Sequence, residues 1–187
     1  MKFKVLDVIF IMAAAIIIAF GFISCKADKT PGDSAGGEAP AKEYVSKAGT
    51  FSITVPGEWT VSDSGNDEHI VLDNSDQSFS VLVQRFPKET AGAADFNRFV
   101  AFYKDNAIKA IVEASKDIKT EAVNIEGMIK TSAEIYEVSQ NGTTAKAFVA
   151  FAESPKAYYV YTLTGVESVY DKEIEAQKAA ISGLKEK

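Results

Sequence analysis

Residues 143–165 read TTAKAFVAFAESPKAYYVYTLTG, and this stretch decides the fold. It contains two extended runs, 143–151 and 157–164, which are separated by a serine-proline turn. At the centre of each run, apolar and aromatic side chains stand at consecutive positions, as in Phe148 to Phe151. A sheet with one face in water shows alternation of apolar and polar residues. We therefore expect these strands to be covered on both faces.

Two segments with helical periodicity can supply the covers. Residues 95–114 carry an apolar stripe at spacings of three and four, with Asp95 or Thr90 as the N-cap. The members of this stripe are Phe96, Phe99, Val100, Tyr103, Ala107, Ile108 and Ile111. A second helix is predicted from about Val169, with Ser168 and Asp171 as a capping box. Its sparser stripe consists of Tyr170, Ile174, Ile181 and Leu184.

Further extended runs complete the pattern. They cover 51–55, 70–72, 78–86, 119–125 and 129–139. Asn141-Gly142 is a strong signal for a type I′ hairpin turn between two of the later strands. The resulting order is three strands, a helix, four strands and a helix. This order predicts an α+β fold, an α/β/α sandwich in which an antiparallel sheet of about six to seven strands is flanked by helices.

Residues 51–59 read FSITVPGEW, a strand followed by a proline turn and a tryptophan. Together with the order of the elements, this motif resembles the PsbP-like fold family, of the PsbP and DcrB type. The resemblance implies a domain that acts as a binding or assembly-supporting module rather than as an enzyme. It implies no particular partner.

The chain begins MKFKVLDVIFIMAAAIIIAFGFISCK, with two lysines, an apolar run over 8–23 and a small residue before Cys25. This is the pattern of an export signal. It resembles a bacterial lipoprotein signal, which implies that residues 1–24 are a cleaved signal peptide and that Cys25 is the lipidation site, acylated by fatty acids such as palmitate. Two alternatives stay open: an uncleaved membrane anchor, and ordinary secretory cleavage near 19–21.

Composition divides the rest of the chain into a linker and a domain. Residues 25–43 are rich in Gly, Ala, Pro and Ser, which predicts a flexible tether. Residues 44–187 have the length of one PsbP-like domain. The chain carries a formal net charge of −6, and residues 1–24 hold two lysines and one aspartate, so the remainder is at −7. An acidic exported protein binds nucleic acid poorly, because both molecules are negatively charged.

Few residues in this chain offer catalytic or metal-binding chemistry. Cys25 is the only cysteine and His69 the only histidine, so zinc binding and Cys-His catalysis are not expected. We expect His69 to be a partly exposed residue at the end of a strand. The acidic loops 63–68 and 73–76 lack an EF-hand pattern and are interpreted as Asx turns, although a weak cation site stays open.

These observations predict a non-catalytic protein of the bacterial cell envelope, attached to the membrane by a lipid on its exported side. We expect no catalytic residues, no cofactor and no metal site, and the membrane and another envelope protein as partners. A small-ligand-binding or transporter-accessory lipoprotein is the alternative. A hydrolase using scattered carboxylates is the least favoured reading.

Overall fold

Residues 40–140 and 142–187 are described by the computed structural model, and their central feature is a seven-stranded antiparallel sheet. The strands are β1 Lys42–Val45, β2 Phe51–Val55, β3 Thr60–Ser62, β4 His69–Asp73, β5 Phe79–Pro87, β6 Ile118–Glu121, β7 Lys130–Gln140, β8 Thr143–Glu153, β9 Ala157–Val166 and β10 Lys185–Glu186. The helices are α1 Lys88–Ala91, α2 Phe96–Asn106, α3 Lys109–Ala114 and α4 Glu167–Ile181. The large sheet has the order β3-β4-β5-β9-β8-β7-β6, and a small sheet has the order β1-β2-β10.

The central strands are buried on both faces, as their sequence predicts. On one face, Phe148, Tyr159 and Tyr161 belong to the hydrophobic cluster that includes the buried side of α4. On the other face, the apolar side chains of β8 and β9 pack with α2 and α3; they are Val149, Phe151, Tyr158 and Val160. The predicted α+β class and the α/β/α layering are therefore confirmed.

The small sheet departs from the single sheet that the sequence predicts. The run 51–55 forms a strand as expected, but this strand pairs with β1 and β10 rather than joining the large sheet. Phe51, Ile53 and Val55 are fully buried in the same cluster as α4. The reason lies in the partners: β1 has one buried residue and β10 has only two residues, so neither produces a periodic signal.

The folded domain begins earlier than the predicted boundary at Tyr44. Lys42 and Glu43, which were assigned to the tether, are the first residues of β1 and pair with Val55 and Thr54. Glu43 also lies 3.3 Å from the ammonium of Lys187. Backbone pairing holds these two polar residues in the sheet. A hydropathy pattern cannot predict such pairing, because it depends on backbone groups and not on side chains. The predicted signal peptide, Cys25 and the rest of the tether up to residue 39 lie outside the described residues.

The predicted helix over 95–114 is two helices, α2 and α3. At the junction, the N–H groups of Ala107 and Ile108 both donate to the carbonyl of Tyr103, at 2.7 and 3.3 Å. Ile108 has φ −118° and ψ 17°, which interrupts the helical ladder. The apolar stripe nevertheless keeps one buried side, because Ile108 and Ile111 remain in the cluster with Phe99. The interruption leaves the register of the stripe intact.

The predicted caps have opposite outcomes. Asp95 is the N-cap of α2, and its Oδ1 accepts a hydrogen bond from the Arg98 N–H at 3.0 Å. The capping box of Ser168 and Asp171 is wrong, since α4 already begins at Glu167, and Val166 occupies the N-cap position without a side-chain bond. Strand β9 runs to Val166 and leads directly into the helix, so Ser168 falls within the first turn.

Asp95→Ala is expected to lower the free energy of unfolding by about 1 kcal/mol, since an N-cap side chain is lost. Ser168→Ala is the matched control, because Ser168 occupies a first-turn position without capping α4. It should change stability by less than about 0.5 kcal/mol. Urea titrations of both variants measure the difference. Equal effects of the two substitutions would contradict the assigned caps.

The hairpin between β7 and β8 is confirmed. Gln140 pairs with Thr143, so the connection between the two strands is two residues long. Gly142 has φ +80°, the left-handed region that a primed turn requires. Asn141 lies outside the described residues, so the predicted turn type stays a prediction. In the described part of the chain, no helix has the length and apolar character needed to cross a membrane.

Candidate functional site

A cavity of about 510 Å³ lies where the edges of the two sheets approach each other. Its walls are β1, the edge strand of the small sheet, and β3, the edge strand of the large sheet. We call this cavity the edge cleft and define it by residues 42–45, 61–64 and 69–71. The cleft is formed by segments that lie far apart in sequence.

The edge cleft is bordered by the backbone of β1. All four residues of this strand line it, from Lys42 to Val45. Side chains of consecutive strand residues point to opposite faces of a sheet. Four consecutive residues can therefore all line one cavity only where the cavity runs along the backbone at the strand edge. Within residues 40–140 and 142–187, β1 pairs with β2 alone and β3 with β4 alone. An edge strand of this kind presents unpaired N–H and C=O groups.

Apolar side chains are exposed on both walls. The side chain of Val45 on β1 is 48% exposed, and that of Val61 on β3 is 62% exposed. In the described part of the chain, five large apolar residues are exposed, and these two are the ones that line the edge cleft. An exposed apolar side chain next to an open strand edge is a feature of protein interaction sites.

One end of the edge cleft is closed by contacts between the β1–β2 turn and the loop before β4. The N–H of Ala48 donates to the carbonyl of Asp67 at 2.9 Å. Nearby, the hydroxyl of Thr50 donates to Glu68 at 2.6 Å. An ion pair of Lys47 and Asp67 spans 3.3 Å, but both side chains are well exposed and the pair contributes little. These two hydrogen bonds join the β1–β2 turn to the loop before β4.

His69 lines the edge cleft and is buried, which corrects the expectation of a partly exposed histidine. It is 6% exposed, because the start of β4 lies beside β5, where the ring of Phe86 is 6.4 Å from the imidazole. Its Nε2 lies 3.3 Å from Gln84 Nε2, and Gln84 Oε1 accepts a hydrogen bond from the Tyr103 hydroxyl at 2.5 Å. The Gln84 amide therefore donates to the imidazole.

The electrostatic state of His69 follows from this environment. Burial lowers the pKa of the imidazole to about 4, against an opposing effect of the Glu68 carboxylate. The ring is neutral at neutral pH, and with Nε2 accepting, its proton is on Nδ1. This Nδ1 is buried and has no partner among the described residues. The sequence alone gave no signal for this network, since Gln84 and Tyr103 are close only in the folded chain.

Proton NMR of the single histidine should give a titration midpoint near pH 4 instead of the usual value near 6.5. The unfolded chain binds this proton more readily than the native one. The stability gained by burying a neutral ring is therefore complete above about pH 6.5 and is lost as the pH falls toward 4. A His69→Gln variant should lack this part of the pH dependence. A midpoint of 6 or higher would contradict the buried placement.

The acidic loops form Asx turns, as predicted. Asp63 Oδ1 accepts from the Gly65 N–H at 2.9 Å, and Asn66 Oδ1 accepts from the Glu68 N–H at 2.9 Å. Asp76 Oδ1 accepts from the Ser78 N–H at 3.0 Å. Within the described residues, no three His, Cys, Asp or Glu side chains are grouped so as to hold a metal ion. Cys25, the predicted lipidation site, lies outside them.

Two other cavities contain ion pairs. In a cavity of about 220 Å³ beside α4, Lys146 contacts Glu167 at 3.0 Å and Asp171 at 2.8 Å. These carboxylates raise the pKa of Lys146. A groove of about 590 Å³ lies between α2 and β7, where Lys104 is held by Glu134 at 2.8 Å. These lysines are thus paired within the domain.

Comparison with known proteins yields distant similarities in structure only. No family model matches the sequence, and no curated protein matches it. A structure from Bacteroides thetaiotaomicron VPI-5482 is 14% identical with a TM-score of 0.49. The alignment covers 78% of this chain and 48% of the Bacteroides chain, so this chain spans about half the length of that protein.

Two further solved structures are similar to this chain. The cyanobacterial PsbP of Synechocystis sp. PCC 6803 is 11% identical, covers 85% of this chain and 98% of its own, and has a TM-score of 0.44. It comes from the PsbP-like family that residues 51–59 resemble. LpqN, involved in cell envelope biogenesis of Mycobacterium tuberculosis, is 14% identical, covers 78% and 84%, and has a TM-score of 0.47.

Proposed function

We propose that this protein is a lipid-anchored protein of the bacterial envelope, and that its domain binds another envelope protein without catalysing a reaction. The anchor is supported by the sequence of the first 25 residues, in which a basic start and an apolar run lead to a small residue and Cys25. Acylation of the Cys25 thiol, together with cleavage of the peptide bond between Ser24 and Cys25, would make the lipid-bearing cysteine the first residue of the mature chain. The lipid also gives the only cysteine of the chain an anchoring role.

The position of the edge cleft supports the same proposal. The chain enters the domain at Lys42, which is the first residue of β1 and lines the cleft. About 17 residues separate Cys25 from this point, and a flexible coil of that length reaches about 20–25 Å. A tether of this length would hold the edge cleft near the membrane surface, within reach of membrane-associated proteins.

The proposal that the domain binds a protein rests on the edge cleft. Two open strand edges and two exposed valines meet in one place, and the surrounding contacts keep this place preformed. Preformed apolar surface next to unpaired backbone groups is suited to a protein partner, because the partner can supply both apolar contacts and backbone hydrogen bonds. The charged cavity beside α4 offers no comparable apolar surface.

Purification of the full-length protein from its native membranes tests this function. We expect one envelope protein to be recovered in a constant ratio, after detergent solubilisation and mild crosslinking. A Cys25→Ser variant, which cannot receive the lipid, should leave the membrane fraction and recover less partner. Recovery of a bound small molecule and no protein would overturn the proposal in favour of a ligand carrier.

A further inference from the structure

We propose that the edge cleft binds an extended segment of the partner as an additional strand on β1, with apolar side chains at alternate positions of that segment. This inference rests on the proposed function, because it names the surface and the kind of partner segment. Binding of the segment makes β1 an inner strand. The resulting sheet has four strands from two proteins, in the order bound segment, β1, β2 and β10.

The backbone of β1 offers hydrogen-bonding groups to such a segment. Strand β1 pairs with β2 in a continuous antiparallel register from Lys42 to Val45. In such a pair, alternate residues direct their N–H and C=O groups away from the partner strand. These outward groups face the edge cleft, since the whole strand lines it. An extended segment satisfies them in the same way that a further strand of the sheet would.

The two exposed valines of the edge cleft favour apolar side chains in the bound segment. Val45 from β1 and Val61 from β3 stand on opposite walls of the edge cleft. A strand lying between the walls places every second side chain on the same face. Apolar residues at alternate positions therefore cover the valines, while the intervening residues point outward.

The charges that line the edge cleft favour a bound segment whose central residues are uncharged. The charged residues that line the edge cleft are two lysines, Lys42 and Lys47, and two acids, Glu43 and Asp63. No sign of charge predominates along the cleft, so a strongly charged peptide gains no attraction there. The edge of β3 carries only Thr60, Val61 and Ser62, and it lacks the charges and prolines that protect edge strands from pairing. Strand β1 carries Lys42 and Glu43 at its first two positions, so the uncharged part of its edge is Tyr44 and Val45.

The linker of the chain itself is a poor occupant. Residues 26–39 contain Pro31 and three glycines, residue types that are depleted in strands, and they lack large apolar side chains at alternate positions. A partner segment with β-branched or aromatic residues supplies what the linker lacks. We therefore assign the edge cleft to a segment of another envelope protein.

Photo-crosslinking in the native envelope tests this assignment. Full-length protein carries benzoylphenylalanine at Val61, and a matched protein carries it at Ile129, which is 58% exposed away from the edge cleft. We expect the Val61 probe to crosslink to one defined segment of one envelope protein, identified by mass spectrometry, and the Ile129 probe to give no such product. Products containing only a second copy of this chain, only lipid, or no product from Val61 would overturn the inference.

A synthetic peptide with the crosslinked sequence then tests the geometry. Its addition to the full-length protein should slow amide hydrogen exchange at residues 42–45 by about tenfold or more. Val45→Lys and Val61→Lys should each weaken peptide binding by about tenfold, whereas Ile129→Lys should leave it unchanged. Unchanged exchange in β1 would exclude strand addition. If the partner co-purifies equally well with Val61→Lys, this inference fails while the proposed function stands; if no protein co-purifies with any variant, the proposed function itself fails.

Discussion

Phe79→Ala is expected to lower the free energy of unfolding by about 3–5 kcal/mol, the range for a large aromatic side chain removed from a core. Phe79 is fully buried on β5. Its ring lies 6.1 Å from the ring of Trp59 and 6.2 Å from that of Tyr170. It thus joins the large sheet to α4 and to the turn after β2. Urea unfolding monitored by circular dichroism measures the loss.

Phe102→Ala is the matched control for this prediction. Phe102 is a phenylalanine on α2 whose side chain is 45% exposed. Its removal should change stability by less than about 0.5 kcal/mol. A similar loss in the two variants would contradict the assignment of Phe79 to the core.

The close contact between Phe79 and Gly165 adds a second test of the same packing. The two residues are cross-strand partners, and a Cβ at Gly165 would lie 2.6 Å from Cδ2 of Phe79. Gly165→Ala should therefore cost about 1–3 kcal/mol in the native background, because the ring has no free space to enter. The cost should fall once Phe79 is alanine. Additive effects of the two substitutions would contradict direct contact.

Arg85→Met should lower the free energy of unfolding by about 2–3 kcal/mol, because it leaves two carboxylates without their cation. Arg85 lies 3.2 Å from Glu68 Oε1 and 3.7 Å from Glu186 Oε1, and its side chain is 11% exposed. Glu186 is also an acceptor for the hydroxyl of Tyr159, at 3.1 Å. The cost is below that of a fully buried pair, since Glu68 and Glu186 retain some contact with water.

The consequence of losing Arg85 should be local as well as global. Glu186 belongs to β10, so Arg85 connects β5 of the large sheet to the last strand of the small sheet. Amide exchange in β10 should accelerate more than exchange in β7. Arg98→Met is the control, because Arg98 is 77% exposed and its contact with Asp95 spans 4.0 Å. A stability loss in the control equal to that of Arg85→Met would contradict the network.

The elements with strong periodicity could be predicted from the sequence. The paired strands β8 and β9 and the stripe on α2 and α3 direct buried side chains to defined faces, and burial of apolar area dominates their placement. Asp95 could be predicted as a cap because a side-chain oxygen next to the stripe has a local partner.

The small sheet and the edge cleft could not be predicted in this way. Tyr44 is the one buried residue of β1, and β10 pairs through only Lys185 and Glu186, so their positions depend on β2 and not on their own sequence. The sequence around Val45 and Val61 does not indicate that both lie at open strand edges, because their positions follow from the strand order of the two sheets. His69 is likewise buried by Gln84, Phe86 and Tyr103, whose proximity arises only from tertiary packing.

We propose that a lipid on Cys25 attaches the domain to a membrane. Intact-mass spectrometry of the mature protein, purified from its native membrane, is the direct test of this anchor. We expect a chain that starts at Cys25 and carries the added mass of a diacylglyceryl group, with or without a third acyl chain. A mature chain without lipid, whether it begins before or after Cys25, would contradict it.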